Sequence, residues 1–437
     1  MSTPVKLIKP PTGNTHTCTS TCNCTGIQDP VKRRFSFSDF KNLFTDHMSE
    51  LLSMNLRPDI IDNIERVLEC KNPRYGGTMY ECPTCHSLKF VPHTCKSRFC
   101  PSCGYLYSQH RADAIKQILI NCNHRHAVFT IPKELRNLFR QDREALNDLP
   151  EAVNMTISYY AKSRSKSENF MPGFICVLHT FGRDLKWNPH IHALIAEGFI
   201  GKKTAWLDVK FWNYNYLRVS FRRNLLSLLK KRFGDSIKEL IAKCYRIAPD
   251  GFYVNAPKKD HFTNLDAVSK YVCRYLGRPV ISLSRIDAYD RVNDTVTFHY
   301  NRHEDNKYQQ ETISAMAFIK RLIVHIPNRN FKMIRYYGFY SSAGRNSDQV
   351  IRAKLIPLMT DGQRYVLKYL HTWRFSISYY FHVDPLKCTV CGELMVPIYH
   401  SYRNFTCYFD SGKTYSERCR IIDIHARQIN RIIKDIV

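Results

Sequence analysis

The sequence has no run of about 18 consecutive apolar residues, the length a membrane-spanning helix takes, and its first residues show no charged segment leading into an apolar core. A helical membrane protein and a secreted one are therefore set aside. The expectation is a cytoplasmic protein with no membrane partner. Carboxylates are also scarce: 38 Asp and Glu stand against 65 Lys and Arg, a formal charge of +27. That imbalance points to a polyanionic partner, because cationic side chains displace the counterions condensed on phosphates.

Aromatic residues, in contrast, make up 13% of the chain, with 26 Tyr, and they are interleaved with the basic ones. Bases stack on such rings, so a single-stranded nucleic acid is favoured over a duplex. No obligatory protein partner is evident. At 437 residues the chain has room for two to four domains of about 100–200 residues each. Its 17 cysteines, in a reducing compartment, are read as metal ligands where they cluster and as reduced thiols elsewhere.

The central stretch is Asn188-Pro189-His190-Ile191-His192-Ala193-Leu194-Ile195. In a strand, side chains alternate between faces. His190 and His192 then project together, while Ile191, Ala193 and Ile195 line the back. Phe174–Phe181 reads as a partner strand joined through a Gly182-Arg183-Asp184 turn. Two histidines at spacing two also occur as satisfied core residues. His124-Arg125-His126 has the same form, but its central Arg would put charge on the face that needs a core, so it ranks far lower.

The strongest local pattern is Cys82-Pro-Thr-Cys85, then fourteen residues, then Cys100-Pro-Ser-Cys103. Four thiolates so spaced can close a tetrahedral Zn²⁺ site. Cys95 and His93 lie between the pairs and Cys70 upstream, and any of them could replace one of the four. A closed site has no open coordination position, which makes it structural. Lys96 and Arg98, read as nucleic-acid contacts, and later Arg111 put positive charge beside it. Near the C-terminus Cys388-Thr-Val-Cys391 forms another knuckle, which Cys407 and Cys419 could complete.

Elsewhere a helical period starts near Phe35 after Ser38-Asp39, with Phe40, Leu43, Phe44, His47 and Leu51 on one face, and a second runs through Ile60, Ile61, Ile64 and Val67. Residues 105–122 read as a helix, 126–131 as a strand and 134–168 as largely helical. The stretch 211–232 mixes rings with Arg and Lys, and suits either nucleic-acid contact or an amphipathic helix. Residues 328–337 mix them again and are expected to touch the nucleic acid. Thr263-Asn-Leu-Asp266 has the form of a capping box, opening a helix that ends near Gly277. On it Tyr271 and Tyr275 stand one turn apart beside Arg274. At that spacing two tyrosines serve packing more often than catalysis. Residues 1–35, with His16, Cys18, Cys22 and Cys24, read as a disordered tail.

The combination of a His-apolar-His strand, a later Tyr-x-x-x-Tyr helix, a zinc-knuckle region and a very basic chain resembles the two-tyrosine HUH transposases of rolling-circle insertion sequences. The stretches 95–103, 128–132, 178–184, 318–321 and 334–339 resemble that family too, and the likeness covers about residues 50 to 395. It implies an α+β fold: a central antiparallel sheet with flanking helices, the palm-like HUH nuclease, behind an N-terminal helical and zinc-knuckle module. It further implies a metal-dependent single-strand endonuclease and strand transferase acting on single-stranded DNA element ends. His190 and His192 would hold Mg²⁺ or Mn²⁺, with His179, Asp266 or Glu197 as a third ligand, and Tyr271 and Tyr275 would act as nucleophiles through a 5′-phosphotyrosine. Arg274 stands where the family often has Lys. The expected division is a tail to 35, a zinc-knuckle domain over 36–122, the nuclease over 123–345 and a C-terminal module over 346–437. Two rivals stay open: a plasmid or phage replication initiator, and a non-catalytic zinc-dependent DNA-binding protein.

Overall fold

The computed structural model describes residues 34–257, 261–262, 279–302, 305–402 and 405–408, with the backbone alone at 261–262, 368–370 and 405–408. The cysteine-bearing tail, the expected helix carrying Tyr271, Arg274 and Tyr275, the nominated Asp266, and Cys419 lie outside these residues.

The chain opens with helices α1 (Phe37–Asp46), α2 (Met48–Ser53) and α3 (Pro58–Glu69). Ser36 caps α1 in a reciprocal box: its hydroxyl accepts from the Asp39 N–H at 3.2 Å and its own N–H donates to the Asp39 carboxylate at 2.8 Å. The cap sits two residues before the one suggested by Ser38. Phe40, Leu43, Phe44, Ile60, Ile64 and Val67 are buried as the two helical periods required. Strands β1 (Gly76–Glu81) and β2 (Leu88–Pro92) follow, then α4 (Pro101–Lys116), which begins with Pro at its first position.

Next come β3 (His124–Thr130), α5 (Lys133–Gln141), α6 (Asp148–Lys162), β4 (Met171–Phe181), β5 (Trp187–Ile200), β6 (Leu207–Asp208), α7 (Tyr214–Phe233), α8 (Lys238–Ile247), β7 (Val254–Asn255) and β8 (His261–Phe262). The remainder holds β9 (Ile286–Asp290), β10 (Thr295–Asn301), β11 (Tyr308–Ser314), α9 (Ala315–Ile323), β12 (Ile334–Gly338), α10 (Ser342–Arg345), α11 (Asp348–Ala353), α12 (Asp361–Leu370), α13 (Trp373–Phe381), β13 (Val396–Tyr402) and β14 (Phe405–Tyr408). The architecture is α+β, as expected. No helix among the described residues is long and apolar enough to cross a membrane.

The central sheet runs β12-β4-β5-β3-β7, with β6 on β5 and β8 on β3. Its neighbours are antiparallel. One face carries Phe174, Cys176, Leu178, Ile191, Ala193, Ile195, Ala127 and Phe129, all buried in a core with Val153 and Ile157 of α6 and Phe221 and Leu225 of α7. The opposite face carries the histidines. Towards one end of that face, Ile175, Val177 and Leu194 pack against Ala112 and Ile115 of α4.

The β4–β5 hairpin is as read from sequence, except that Asn188-Pro189 lies inside β5 rather than in the turn. The register slips between His179↔His190 and Phe181↔Trp187, so Pro189 sits in a bulge that asks no ladder hydrogen bond of it. At the hairpin tip Leu185 takes φ 65° and plugs, fully buried, into the core shared by α1, α3, β10 and α9. The tip thereby locks the helical region to the sheet.

Part of the aromatic and basic stretch at 211–232 packs inward, while Phe211, Arg223, Lys230 and Lys231 are exposed, as an amphipathic helix with a solvated basic face requires. Trp212 is 1% exposed and stacks on Tyr160 at 5.1 Å. Arg222 donates to the carbonyls of Ala248 and Pro249, and Arg232 holds Asp148 with bonds of 2.7 and 2.9 Å.

A separate sheet, β14-β13-β1-β2, joins strands from the two ends of the chain. Gly76 pairs with Tyr402 and Glu81 with Val396. The part of 346–437 expected as a C-terminal module thus completes the sheet of the N-terminal zinc region.

Candidate active site and metal centres

Strand alternation and register assemble a histidine cluster on the face away from the main core. His190 and His192 lie two apart on β5, and His179 on β4 is the direct Cα partner of His190. Each of the three offers a ring nitrogen, and these nitrogens lie within 4.8 Å of one another. Nδ1–H of His190 donates to its neighbour's carbonyl, Asn188 O, at 2.7 Å. That bond fixes the tautomer and leaves Nε2 of His190 bearing a lone pair. The same Nε2 lies 3.1 Å from Nε2 of His192. His192 is 7% exposed, and burial, reinforced by the neighbouring imidazoles His179, His190 and His126, holds its pKa well below the ordinary value. Imidazoles turned towards one point make a ligand set for a divalent cation.

Of the nominated third ligands that lie among the described residues, His179 is the one brought to the pair. Glu197 is not: it is buried at the edge of the back face, where the Arg125 guanidinium donates to it at 2.5 Å. The ion pair also answers the objection to charge at Arg125, and leaves β3 free to place His126 on the histidine face. His126 Nε2 lies 2.9 Å from His192 Nδ1, and burial, with a smaller contribution from His190, lowers its pKa to about 4. Sequence reading did not associate His126 with the site; its signal was the alternation His124-x-His126 on a strand adjacent to β5.

The expected grouping of Cys82, Cys85, Cys100 and Cys103 does not form. The structure divides them between two clusters. In the first, Cys100 caps α4 and Cys103 lies one turn into it, facing Cys70 at the end of α3 and Cys95. Cys70 Sγ lies 3.5 Å from Cys103 Sγ and 3.9 Å from Cys100 Sγ, and Cys95 Sγ lies 3.7 Å from Cys103 Sγ. A tetrahedron of Zn–S bonds of about 2.3 Å has edges of about 3.8 Å, so these four fit Zn²⁺. Backbone N–H groups of Cys95 and Ser97 point at sulfur, both at 3.4 Å. Packed so closely, the thiols share protons: Cys103 is pulled down by its neighbours, chiefly Cys100, and Cys95 is pushed up, chiefly by Cys100. Four thiolates there require a cation. His93, the other spare ligand, instead pairs with Ser401 O at 3.0 Å. The second cluster joins Cys82 and Cys85 to Cys388 and Cys391, so the C-terminal knuckle finds its partners in β1–β2 rather than downstream. Spacing could not reveal partners some three hundred residues apart.

Beside the histidines runs a groove of about 840 Å³. Arg66, Arg98 and Arg111 line it from the zinc region, and Arg329, Lys332 and Tyr336 from the expected contact stretch. Phe181, on its floor, stacks on His179 with centroids 5.6 Å apart and planes at 9°, which connects groove to cluster. The far wall is pinned: Arg57 and Arg143 donate to Ile326 O at 2.7 and 3.2 Å. Of the predicted contact residues Arg98 lines this groove; Lys96 is exposed next to Cys95.

Comparison with known proteins matches two family models to the chain. Residues 173–348, which include His179, His190 and His192, match a family model described as "Putative transposase". Residues 41–131, which include Cys70, Cys95, Cys100 and Cys103, match one described as "Transposase zinc-binding domain". The chain is 29% identical over 379 residues to the transposase for insertion sequence element IS801 of Pseudomonas savastanoi pv. phaseolicola, an alignment covering 82% of this chain and 88% of that protein. It is 27% identical over 293 residues to "Putative transposase y4qJ" of Sinorhizobium fredii (strain NBRC 101917 / NGR234), covering 63% and 73% respectively. No solved structure matches the chain.

Proposed function

We propose that the chain is a two-tyrosine transposase of the rolling-circle insertion-sequence family, a reading supported by its matches to the two transposase family models and to the IS801 transposase, and that it cuts and rejoins single-stranded DNA at the His179–His190–His192 face. The observation that carries this reading is the convergence of three imidazoles within 4.8 Å on a sheet face beside a basic groove. His179, His190 and His192 would hold Mg²⁺ or Mn²⁺, which when bound polarises the scissile phosphate and offsets charge gathering on its oxygens. His190 contributes Nε2 because its Nδ1–H is committed to Asn188 O. His126 steadies His192 from behind.

Arg98, Arg111, Arg329 and Lys332 neutralise the strand's phosphates, and Phe181 and Tyr336 offer rings on which bases stack. Tyr271 or Tyr275 supplies the nucleophile. Its phenol oxygen bonds to phosphorus, its proton passes to solvent, and the leaving 3′-oxygen takes up a proton as a free 3′-hydroxyl. The resulting 5′-phosphotyrosine conserves the ester energy, so a 3′-hydroxyl attacks it in the joining step without a nucleotide cofactor. Arg274, beside both tyrosines in sequence, would stabilise the phenolate. Cys70, Cys95, Cys100 and Cys103 would hold a structural Zn²⁺ that fixes α4, and with it Arg111, on the groove wall.

The test is incubation with labelled single-stranded oligonucleotides spanning the ends of the element, in Mn²⁺ or in EDTA, followed by denaturing electrophoresis. A covalent adduct is expected in Mn²⁺ only, lost in Tyr271→Phe/Tyr275→Phe and in His190→Ala. Binding with no adduct on any end would overturn the nuclease reading in favour of a non-catalytic DNA-binding protein.

A further inference from the structure

Cys82 and Cys85 lie between β1 and β2; Cys388 and Cys391 lie before β13, beyond the 173–348 and 41–131 segments that match known families. The fold brings them together at the protein surface. Cys82 Sγ stands 3.3 Å from Cys391 Sγ, Cys85 Sγ stands 3.6 Å from Cys388 Sγ, and all four lie within 4.8 Å. These separations exceed by far the bond of a disulfide, about 2.05 Å, and lie around the edge of a four-sulfur zinc tetrahedron, about 3.8 Å.

The backbone of the two turns supplies an independent observation. In the first, Cys82 N–H donates to Ser87 O at 3.0 Å and His86 N–H donates to Cys82 O at 3.0 Å. In the second, Cys388 N–H donates to Glu393 O at 2.8 Å and Gly392 N–H donates to Cys388 O at 3.1 Å. The residue after the second cysteine is left-handed in both, φ 54° at His86 and 79° at Gly392. Each turn therefore carries the same five-residue hydrogen-bonded loop with its two thiols on the inside, and the loops face each other. At Cys100 and Cys103 only one of these features recurs, Gly104 N–H donating to Cys100 O at 2.8 Å, and there the chain runs on into a helix rather than through a left-handed residue.

We propose that Cys82, Cys85, Cys388 and Cys391 bind a second Zn²⁺, which clamps the C-terminal arm onto the N-terminal zinc region. Each thiol gives up its proton to solvent as its sulfur joins the metal. The clamp's mechanical role follows from what the arm touches. Lys89 on β2 donates to Pro385 O at 2.8 Å, beside the knuckle. Upstream of it, α13 lies on α4: Tyr380 donates its hydroxyl proton to Asp113, Ser376 Oγ pairs with His110 Nε2 at 2.8 Å, and Phe381 packs edge-on against Tyr105 at 5.5 Å. α4 is the helix whose Arg111 and Tyr107 line the groove. The second zinc thus braces, from outside, the wall that the first zinc holds at its N-terminus. Tetrathiolate content does not depend on strand cleavage, so this proposal stands or falls apart from the nuclease reading.

The decisive measurement is the metal content of the full-length chain, exchanged with Co²⁺ and read by its thiolate charge-transfer and tetrahedral d–d bands. These bands separate sulfur sites from the histidine site. Two tetrathiolate equivalents per chain are expected; a single equivalent in the wild-type chain overturns the proposal whether or not any variant folds. Cys388→Ser/Cys391→Ser should fall from two to one while retaining the spectrum of the Cys70 cluster. Retention of both equivalents in that variant equally overturns it.

Discussion

His126 Nε2 lies 2.9 Å from His192 Nδ1, on a strand whose residues pair directly with those of β5. For His192 to present Nε2 to a cation, its Nδ1–H must donate to the His126 ring, and both rings are kept neutral chiefly by burial. Such outer partners orient a ligating imidazole, and their loss typically weakens metal binding about 10–100-fold. His126→Ala should therefore raise the Mn²⁺ concentration needed for half-maximal adduct formation by that factor while saturating Mn²⁺ restores the rate. Unchanged Mn²⁺ dependence would reduce His126 to a packed strand residue.

Arg98, Arg111 and Lys332 line one groove. Each phosphate contact removed should weaken single-strand binding at low salt and flatten the slope of log affinity against log salt by about 0.7. Single alanine variants, titrated against a fluorescent oligonucleotide at several salt concentrations, give that slope. Lys96→Ala, exposed and outside the lining, serves as comparison. Equal slopes for all four would place the strand elsewhere.

Much of this was open to reading from residues alone, because strand and helix periods are local. The alternation at 190–195 places two histidines on one face and a core on the other, and the structure agrees residue for residue. What escaped depends on distant partners. Cys82 and Cys85 look like half of a site with Cys100 and Cys103, since nothing near them in sequence announces Cys388 and Cys391. Arg125 looks like a charge facing a core until Glu197 is set against it, and with that misreading His126 was passed over. Trp212 and Arg222 have the composition of a nucleic-acid surface and the burial of a core, a difference composition does not carry.

Two buried histidines away from the cluster set an acid limit. His124, whose Nε2 meets the Tyr340 hydroxyl at 2.6 Å, and His325, held by Thr180 Oγ1 at 3.1 Å and donating to Leu185 O at 2.9 Å, are both lowered by burial to about 4. The unfolded chain takes up these protons near pH 6.5 and the folded chain only near pH 4. Stability is thus full above the upper value, falls as pH drops through this window, and levels off below it. At 1.36 kcal/mol per pH unit, each histidine accounts for roughly 3 kcal/mol of that fall. Urea unfolding of metal-free protein at pH 7 and pH 4.5 should show the loss, and His325→Gln should lessen it. An equal loss in that variant would trace the acid sensitivity to other groups.

Glu197 and His179 were both candidates for the third ligand, and their surroundings predict opposite phenotypes. Glu197 is 8% exposed and accepts from Arg125, itself 4% exposed, which also donates to Ala256 O at 3.0 Å. Exchanging its carboxylate for an amide takes away the charge that balances a buried guanidinium, a change worth on the order of 3–5 kcal/mol when such a pair is broken. Glu197→Gln should lower the unfolding midpoint yet leave Mn²⁺ affinity intact at temperatures where the protein stays folded. His179 stands opposite His190 at the edge of the groove. His179→Ala should do the reverse, keeping most of the stability and abolishing tight Mn²⁺ binding. Calorimetric titration and thermal melts on the same two variants separate the cases. A loss of Mn²⁺ affinity in folded Glu197→Gln, with none in His179→Ala, would move the metal to the other face of β5.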